Sequence, residues 1–292
     1  MTDTSAAPLP PDANLRRPKR PLPALTVDCH AHIFDRFDRY PFAGNRKYQP
    51  PLCTREAWFA LHAALGVERG VQVHGSAYAF DNSITEDFLR DHPQRLRGVA
   101  AVPADVNAAL LKRLDGAGFR AARLMDQFAT GATTADLEVL AKKLVPFNWH
   151  IEINIAKSSD WVALEPKLIA CPVPLVIDHM GRTRGSEGIN APGFNVIRRL
   201  LAKRGDCYTK ISSWYRLSDA GAPHYDDMRP FAQALLSDHP QQCVWGTNWP
   251  HPGIHKDMPN DADLLDQLES WLPSDAVREP LFATNAARLY RF

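Results

Sequence analysis

The chain has 292 residues, 45% of them hydrophobic, with a formal net charge of +1. That length suits a single α/β barrel and supplies enough apolar surface for a sizeable core. The near-zero charge gives no ground for nucleic acid or an acidic membrane surface as a partner, although a basic pocket can hide inside a neutral total. Five cysteines (Cys29, Cys53, Cys171, Cys207 and Cys243) are odd in number and form no C-x-x-C pair, so reduced, mostly buried thiols are expected rather than a zinc site or disulfide framework. The first residues hold no apolar signal segment, and no apolar run reaches ~18 residues, so a cytoplasmic protein with no membrane partner is expected.

Residues 1 to 23, rich in Pro, Ala, Asp and Arg, read as a flexible or wrapping arm, with 24–292 forming one catalytic domain. Eight β-branched runs then follow, at 25–30, 70–74, 97–102, 119–124, 149–155, 174–179, 207–212 and 243–247. Amphipathic stretches lie between them. In 54–66, Thr54 is placed to cap a helix that buries Trp58, Leu61 and Leu65 and stops at Gly66. In 133–144, Thr133 and Asp136 have capping-box spacing, and Leu137, Leu140, Ala141 and Leu144 form a stripe. The stretches 194–205, 226–237 and 261–272 follow the same logic. Eight strands alternating with helices predict a parallel sheet closed into a (β/α)8 TIM-type barrel. An open doubly wound sheet needs a glycine-rich loop after its first strand, and residues 28–36 are not one.

Barrel chemistry sits where strands end. Strand one ends in His30 and His32, strand two in His74, and strand four in Arg123 with Asp126 beyond. Strand five carries Asn154 and strand six ends in Asp178-His179. Strand seven carries Lys210, with Ser212, Ser213 and Arg216 following; strand eight leads to Asn248 and His251. Three histidines (His30, His32 and His179) converging on one barrel mouth are hard to explain by packing. His62, His92, His224, His239 and His255 fall on helices or loops and are expected at the surface, and His150, opening a strand at the barrel bottom, is expected to be structural.

The segments DCHAH (28–32), VIDHMGR (176–182) and VWGTNWPHP (244–252) resemble the amidohydrolase superfamily, in the branch of the 2-pyrone-4,6-dicarboxylate lactonases and galactarolactone isomerases. RKYQP (46–50), RLMD (123–126) and TNAARLY (284–290) extend the likeness over nearly the whole chain after residue 24. Two-metal members carry a bridging Lys or Glu on strand four, a His on strand five and an Asp on strand eight. This chain has Arg123 or Leu124, Asn154 and Asn248 there, so the binuclear site is absent. The lactonases it resembles work without metal, so no cofactor is expected; one zinc on His30, His32 and His179 stays open as an alternative.

The resemblance implies an enzyme that binds a small anionic lactone. His30, His32 and His179 would polarise the ring carbonyl by hydrogen bonding. Arg123 and Arg216 would hold acid groups, and Lys47 and Tyr48 match a substrate-binding segment. His74, Asp126, Asn154 and His251 complete the expected mouth. Asp178 is expected to turn away, since strand neighbours face opposite sides. The lactonases carry a water-activating Asp where this chain has Asn248, and an Asn cannot be a general base. Either another group such as His74 or Asp126 activates water, or the enzyme isomerises a lactone, or the Asn was introduced to trap a complex. Hydrolysis is the leading expectation and isomerisation the alternative; decarboxylation and a non-catalytic binding protein are weaker ones.

Overall fold

The computed structural model describes residues 8–128 and 130–292. Its centre is an eight-stranded parallel sheet: β1 (Val27–Ala31), β2 (Arg69–Val73), β3 (Leu96–Ala100), β4 (Phe119–Met125), β5 (His150–Asn154), β6 (Leu175–Ile177), β7 (Cys207–Ile211) and β8 (Cys243–Trp245). The strands are hydrogen-bonded in sequence order. The circle is completed just beyond β8, where Asn248 N donates to His30 O (2.7 Å) and His32 N to Trp249 O (2.8 Å). Gly246 makes that approach possible: a Cβ there would lie 2.8 Å from the His30 backbone nitrogen.

The crossover helices are α1 (Arg55–Leu65), α2 (Ser83–Asp91), α3 (Ala108–Ala117), α4 (Leu137–Leu144), α5 (Asp160–Ala170), α6 (Pro192–Lys203), the one-turn α7 (Trp214–Leu217), α8 (Arg229–Asp238), α9 (Asp261–Trp271) and α10 (Asn285–Tyr290). Thr54 caps α1 by accepting from Ala57 N, and Gly66 ends it at φ 82°. The Thr133–Asp136 capping box precedes α4. Five helices, α2, α3, α5, the one-turn α7 and α10, were not among the expected elements. Two of them carry breakers inside: Gly116 in α3 and Pro166 in α5. Tertiary burial of Leu111 and Leu114, and of Trp161 and Leu168, overrides that local penalty.

The main core lies between strands and helices and includes Trp58, Trp149, Trp161 and Trp271. A second cluster fills the lower barrel lumen, where Val27, Val71, Val99, Val176 and Val244 meet Ala286 and Tyr290 of α10. The lower lumen is thus apolar, and charge is confined to the layer above it. Outside the barrel wall, Asp28 staples β1 to its neighbours, accepting from Thr247 N (2.9 Å), Thr247 Oγ1 (2.7 Å) and Trp58 Nε1 (3.3 Å). His62 joins this staple, 3.2 Å from Asp28, and is fully buried; the surface position expected for it is wrong, because the last turn of α1 packs that ring against the barrel.

From residue 8 on, the N-terminal segment lies along α9. Arg16 pairs with Asp263 and Asp266, Arg20 with Asp275, and Leu9 N donates to Ile254 O. The part of the expected arm before residue 8 lies outside the described residues. All five cysteines are free and buried. Among the described residues, no helix is long and apolar enough to cross a membrane.

Candidate active site

Three neighbouring strands end in the same way. His179 after β6, Ser213 after β7 and Asn248 after β8 have φ of 53°, 60° and 61°. A left-handed residue breaks strand alternation, so adjacent side chains can reach the same mouth. Such conformations cost on the order of 1–3 kcal/mol each and gather at functional sites. At His179 this turn explains why β6 ends before its expected boundary. It also corrects the expectation for Asp178, whose side chain turns inward alongside that of His179 rather than away.

Beneath the mouth runs a buried ionic ladder. Arg123 Nε and Nη2 donate to Asp178 Oδ2 at 3.2 and 3.0 Å. Lys210 Nζ lies 3.1 Å from Asp178 Oδ1, 2.5 Å from Glu152 Oε2 and 3.0 Å from His30 Nδ1. Glu152 in turn accepts from Tyr290 Oη (2.6 Å) at the foot of the barrel. Burial raises the Asp178 carboxyl, but Lys210, His30 and Arg123 outweigh it and hold it well below the usual range. Lys210 was expected at a strand end without a role, and Glu152 was passed over; an acid on β5 and a base on β7, each among buried strand residues, was the available signal.

The imidazoles are neutral. Burial, then Lys210, drives His30 well below its ordinary value. Burial, then Arg123, takes His32 to about 3. Burial also lowers His179 well below the usual range, against the pull of Asp178. A neutral imidazole carries one N–H, so its partners assign it. The Lys210 ammonium can only donate, so His30 accepts at Nδ1 and carries its proton at Nε2, an atom with no partner. His32 donates from Nδ1 to Val73 O (2.8 Å), which leaves a lone pair at Nε2. His179 Nδ1 meets Ser212 Oγ at 2.7 Å. His32 and His179 line the mouth, and His30 lies below them with ring centroids 5.0 and 4.5 Å away.

The mouth holds a cavity of about 220 Å³, room for one small ring with substituents. Its lining includes His32, Tyr48, Arg123, Asn154, His179, Arg216 and Asn248 from the expected set, together with Ser76, Gln127, Phe128, Arg182, Ser213 and Pro252. Arg182 was read as part of the VIDHMGR segment without a role. Burial, then Arg216 and Arg123, takes it down to about 10. A larger cavity of about 550 Å³ opens at the opposite end of the barrel, lined by His150, Tyr208, Arg288 and Arg291 among others. It lacks convergent strand-end groups, so the chemistry belongs to the smaller one.

Four expected substrate-binding residues are not in the lining. Lys47 donates to Gln127 O and lies over the Phe128 ring. His74 is buried, and burial takes it to about 4 against a backbone hydrogen bond with Ala79. Asp126 accepts from Thr134 N and Oγ1, both at 2.8 Å, and so holds the β4–α4 loop. His251 stands behind Asn248, with Nδ1 2.7 Å from Tyr215 Oη and Nε2 3.3 Å from Asp261 Oδ2. Asn248 Nδ2 donates to Ser213 Oγ (2.9 Å) and Tyr215 Oη (2.8 Å). Tyr215 and Asp261 were not singled out from sequence, since neither lies at a strand end.

The amidohydrolase family model matches residues 27–292. A 4-sulfomuconolactone hydrolase of Rhizobium radiobacter is 31% identical, with 99% of each chain covered. A 2-pyrone-4,6-dicarboxylate hydrolase of Comamonas testosteroni is 30% identical over 95% of this chain and 94% of its own. A D-galactarolactone isomerase of Agrobacterium fabrum is 25% identical over 94% of each. The crystal structure of an Agrobacterium tumefaciens protein in its apo form superposes with a TM-score of 0.85 at 25% identity, covering 94% of this chain and 98% of that one. With its closed ring of eight parallel strands and its histidine-lined mouth, the chain belongs to the amidohydrolase family.

Proposed function

We propose that the protein is an enzyme that hydrolyses a small carboxylated or sulfonated lactone. The observation that carries this reading is charge: among the described residues, the cavity is lined by Arg123, Arg182 and Arg216 and by no carboxylate. A dianionic ring pairs with these guanidiniums, whereas a neutral ligand leaves them desolvated without partners. Arg216 and Arg182 are the freer two, because Arg123 already spends two N–H groups on Asp178. The hydrolases named above, which share about 30% of their residues with this chain, act on lactones of this kind.

In this reading, His179, accepting the Ser212 hydroxyl proton at Nδ1 and donating from Nε2, draws charge onto the carbonyl oxygen, and such a donor lowers the barrier by about 3 kcal/mol, while His30 supports it from beneath the cavity. His32, with its lone pair at Nε2, accepts rather than donates and holds water or a substrate hydroxyl. The three imidazoles therefore divide the work, in place of the three equal donors expected from sequence.

The ladder also bears on metal. His30, Asp178 and His179 each offer a ligand atom, all within 4.8 Å of one another. Yet Asp178 already faces Arg123 and Lys210, and His30 Nδ1 faces the Lys210 ammonium. A further cation there meets two positive groups at close range, so this donor set does not suit an ion and the reaction is assigned to the side chains alone.

Asn248 favours one second reading, lactone isomerisation, which needs no hydrolytic water. The two are separated by proton release from a buffered-indicator assay and by the product ring in NMR. Hydrolysis consumes water and releases one proton per lactone; isomerisation changes the ring with no proton released.

A further inference from the structure

Behind the cavity wall stands a hydrogen-bonded series with no place in the scheme so far. Asp261, the first residue of α9, lies 3.3 Å from His251 Nε2, and His251 Nδ1 lies 2.7 Å from Tyr215 Oη. Asn248 Nδ2 joins that phenol to Ser213 Oγ, and both Asn248 and Ser213 line the cavity. Asn248 Nδ2 can only donate, so the phenol oxygen accepts there and shares a proton with His251. An acid, an imidazole and a hydroxyl in series form the arrangement that makes a hydroxyl easy to ionise.

We propose that Tyr215, backed by His251 and Asp261, takes up the proton that the attacking water gives up, the task Asn248 cannot perform. This rests on the lactone-hydrolysis reading above. In the step, the water oxygen bonds to the lactone carbonyl carbon and the carbonyl π pair moves onto its oxygen. With Tyr215 starting as the phenolate paired with the His251 imidazolium, the water proton passes to Ser213 Oγ as the Ser213 proton passes to Tyr215 Oη. When the carbonyl reforms and the ring C–O bond breaks, the phenol returns a proton along the same path to the leaving oxygen. Nothing is oxidised or reduced, and the new carboxylic acid ionises to solvent.

The charged and titratable groups facing Tyr215 favour this. Burial raises the phenol, but His251, Arg216 and hydrogen bonds from Ser213 and Asn248 outweigh it and bring it to about 8. The Arg216 guanidinium lies 5.5 Å over the Tyr215 ring. Burial lowers His251, but Tyr215 and Asp261 outweigh it and raise it to about 9. Tyr225 also faces it, raised by burial and then by Tyr215.

The test is an ultraviolet pH titration of phenolate in the wild type, Tyr215→Phe and His251→Gln, which needs no lactone. One phenol should ionise near pH 8 in the wild type, vanish in Tyr215→Phe and move upward in His251→Gln. Turnover of 2-pyrone-4,6-dicarboxylate or 4-sulfomuconolactone should show a matching limb in kcat against pH. Tyr215→Phe should lose that limb and ~10²–10⁴-fold in kcat, with KM little changed. All phenols ionising together near ~10 overturns the proposal, as does an unchanged limb in Tyr215→Phe. An early phenol without turnover of either lactone upholds the proton acceptor and removes the lactone reading instead.

Discussion

Lys210 Nζ sits 3.0 Å from His30 Nδ1 and touches both Glu152 and Asp178, so one ammonium at the barrel axis orients an imidazole and neutralises two carboxylates. All four side chains are fully buried. Removing the cation leaves buried acids with too few partners. Lys210→Met is therefore expected to destabilise the fold by about 3–5 kcal/mol, measured by chemical denaturation. A loss under ~1 kcal/mol shows that the ladder is not held by Lys210.

Arg182 and Arg216 should bind substrate without taking part in bond making. Arg216→Met and Arg182→Met are each expected to raise KM for an anionic lactone by ~30-fold or more, since truncating a desolvated charge pair costs about 2–5 kcal/mol. For Arg182→Met the kcat should stay within a few-fold, as expected for a uniform binding interaction, whereas Arg216→Met should also move the Tyr215 limb of kcat to higher pH, because that guanidinium favours the phenolate. Loss of kcat at unchanged KM in both variants contradicts their placement as carboxylate holders.

Stability should fall early on the acid side. His30, His32, His74 and His179 are all lower in the folded state than the ordinary imidazole, His32 at about 3 and His74 at about 4. Between the folded and unfolded values the unfolded chain binds more protons, so their contribution is complete above ~6.5 and lost as pH falls towards 4. On the alkaline side two groups oppose each other. His251, raised to about 9, loses its contribution as pH rises from ~6.5 through that value, while Tyr215, lowered to about 8, gains stability from there up to ~10. Thermal scans should show Tm dropping from pH 6.5 downwards, before carboxylates protonate. A flat Tm from pH 7 to pH 4.5 contradicts the buried neutral cluster.

Activity should survive metal removal. After dialysis against a strong chelator, lactone turnover is expected within about two-fold of the untreated enzyme, and elemental analysis should find no stoichiometric metal in active protein. Activity lost on chelation and restored by zinc alone contradicts the ladder as the replacement for an ion.

The parts of this architecture that were readable in the sequence are those written in local patterns. The eight strands announce themselves by β-branched runs, and Thr54, Gly66 and the Thr133–Asp136 pair mark helix ends by short-range chemistry. His30, His32, His179, Arg123, Arg216 and Asn248 were singled out because a barrel puts chemistry at strand ends, and all but His30 line the cavity. What stayed hidden depends on direction and depth. Asp178 faces inward because its neighbour is left-handed, which no alternation rule anticipates. His62 is buried by a helix docking on Asp28, and Lys210 meets Glu152 across two intervening registers of the barrel wall. Tyr215, His251 and Asp261 come from a one-turn helix, a loop and a helix start, so only the closed fold aligns them.

The most direct test of the cavity's role is to supply 2-pyrone-4,6-dicarboxylate and 4-sulfomuconolactone to the purified protein and follow proton release and the ring by NMR. The account predicts an opened ring, one new carboxylate and one proton per turnover for at least one of them. An intact ring in both, or a rearranged ring formed without proton release, contradicts it.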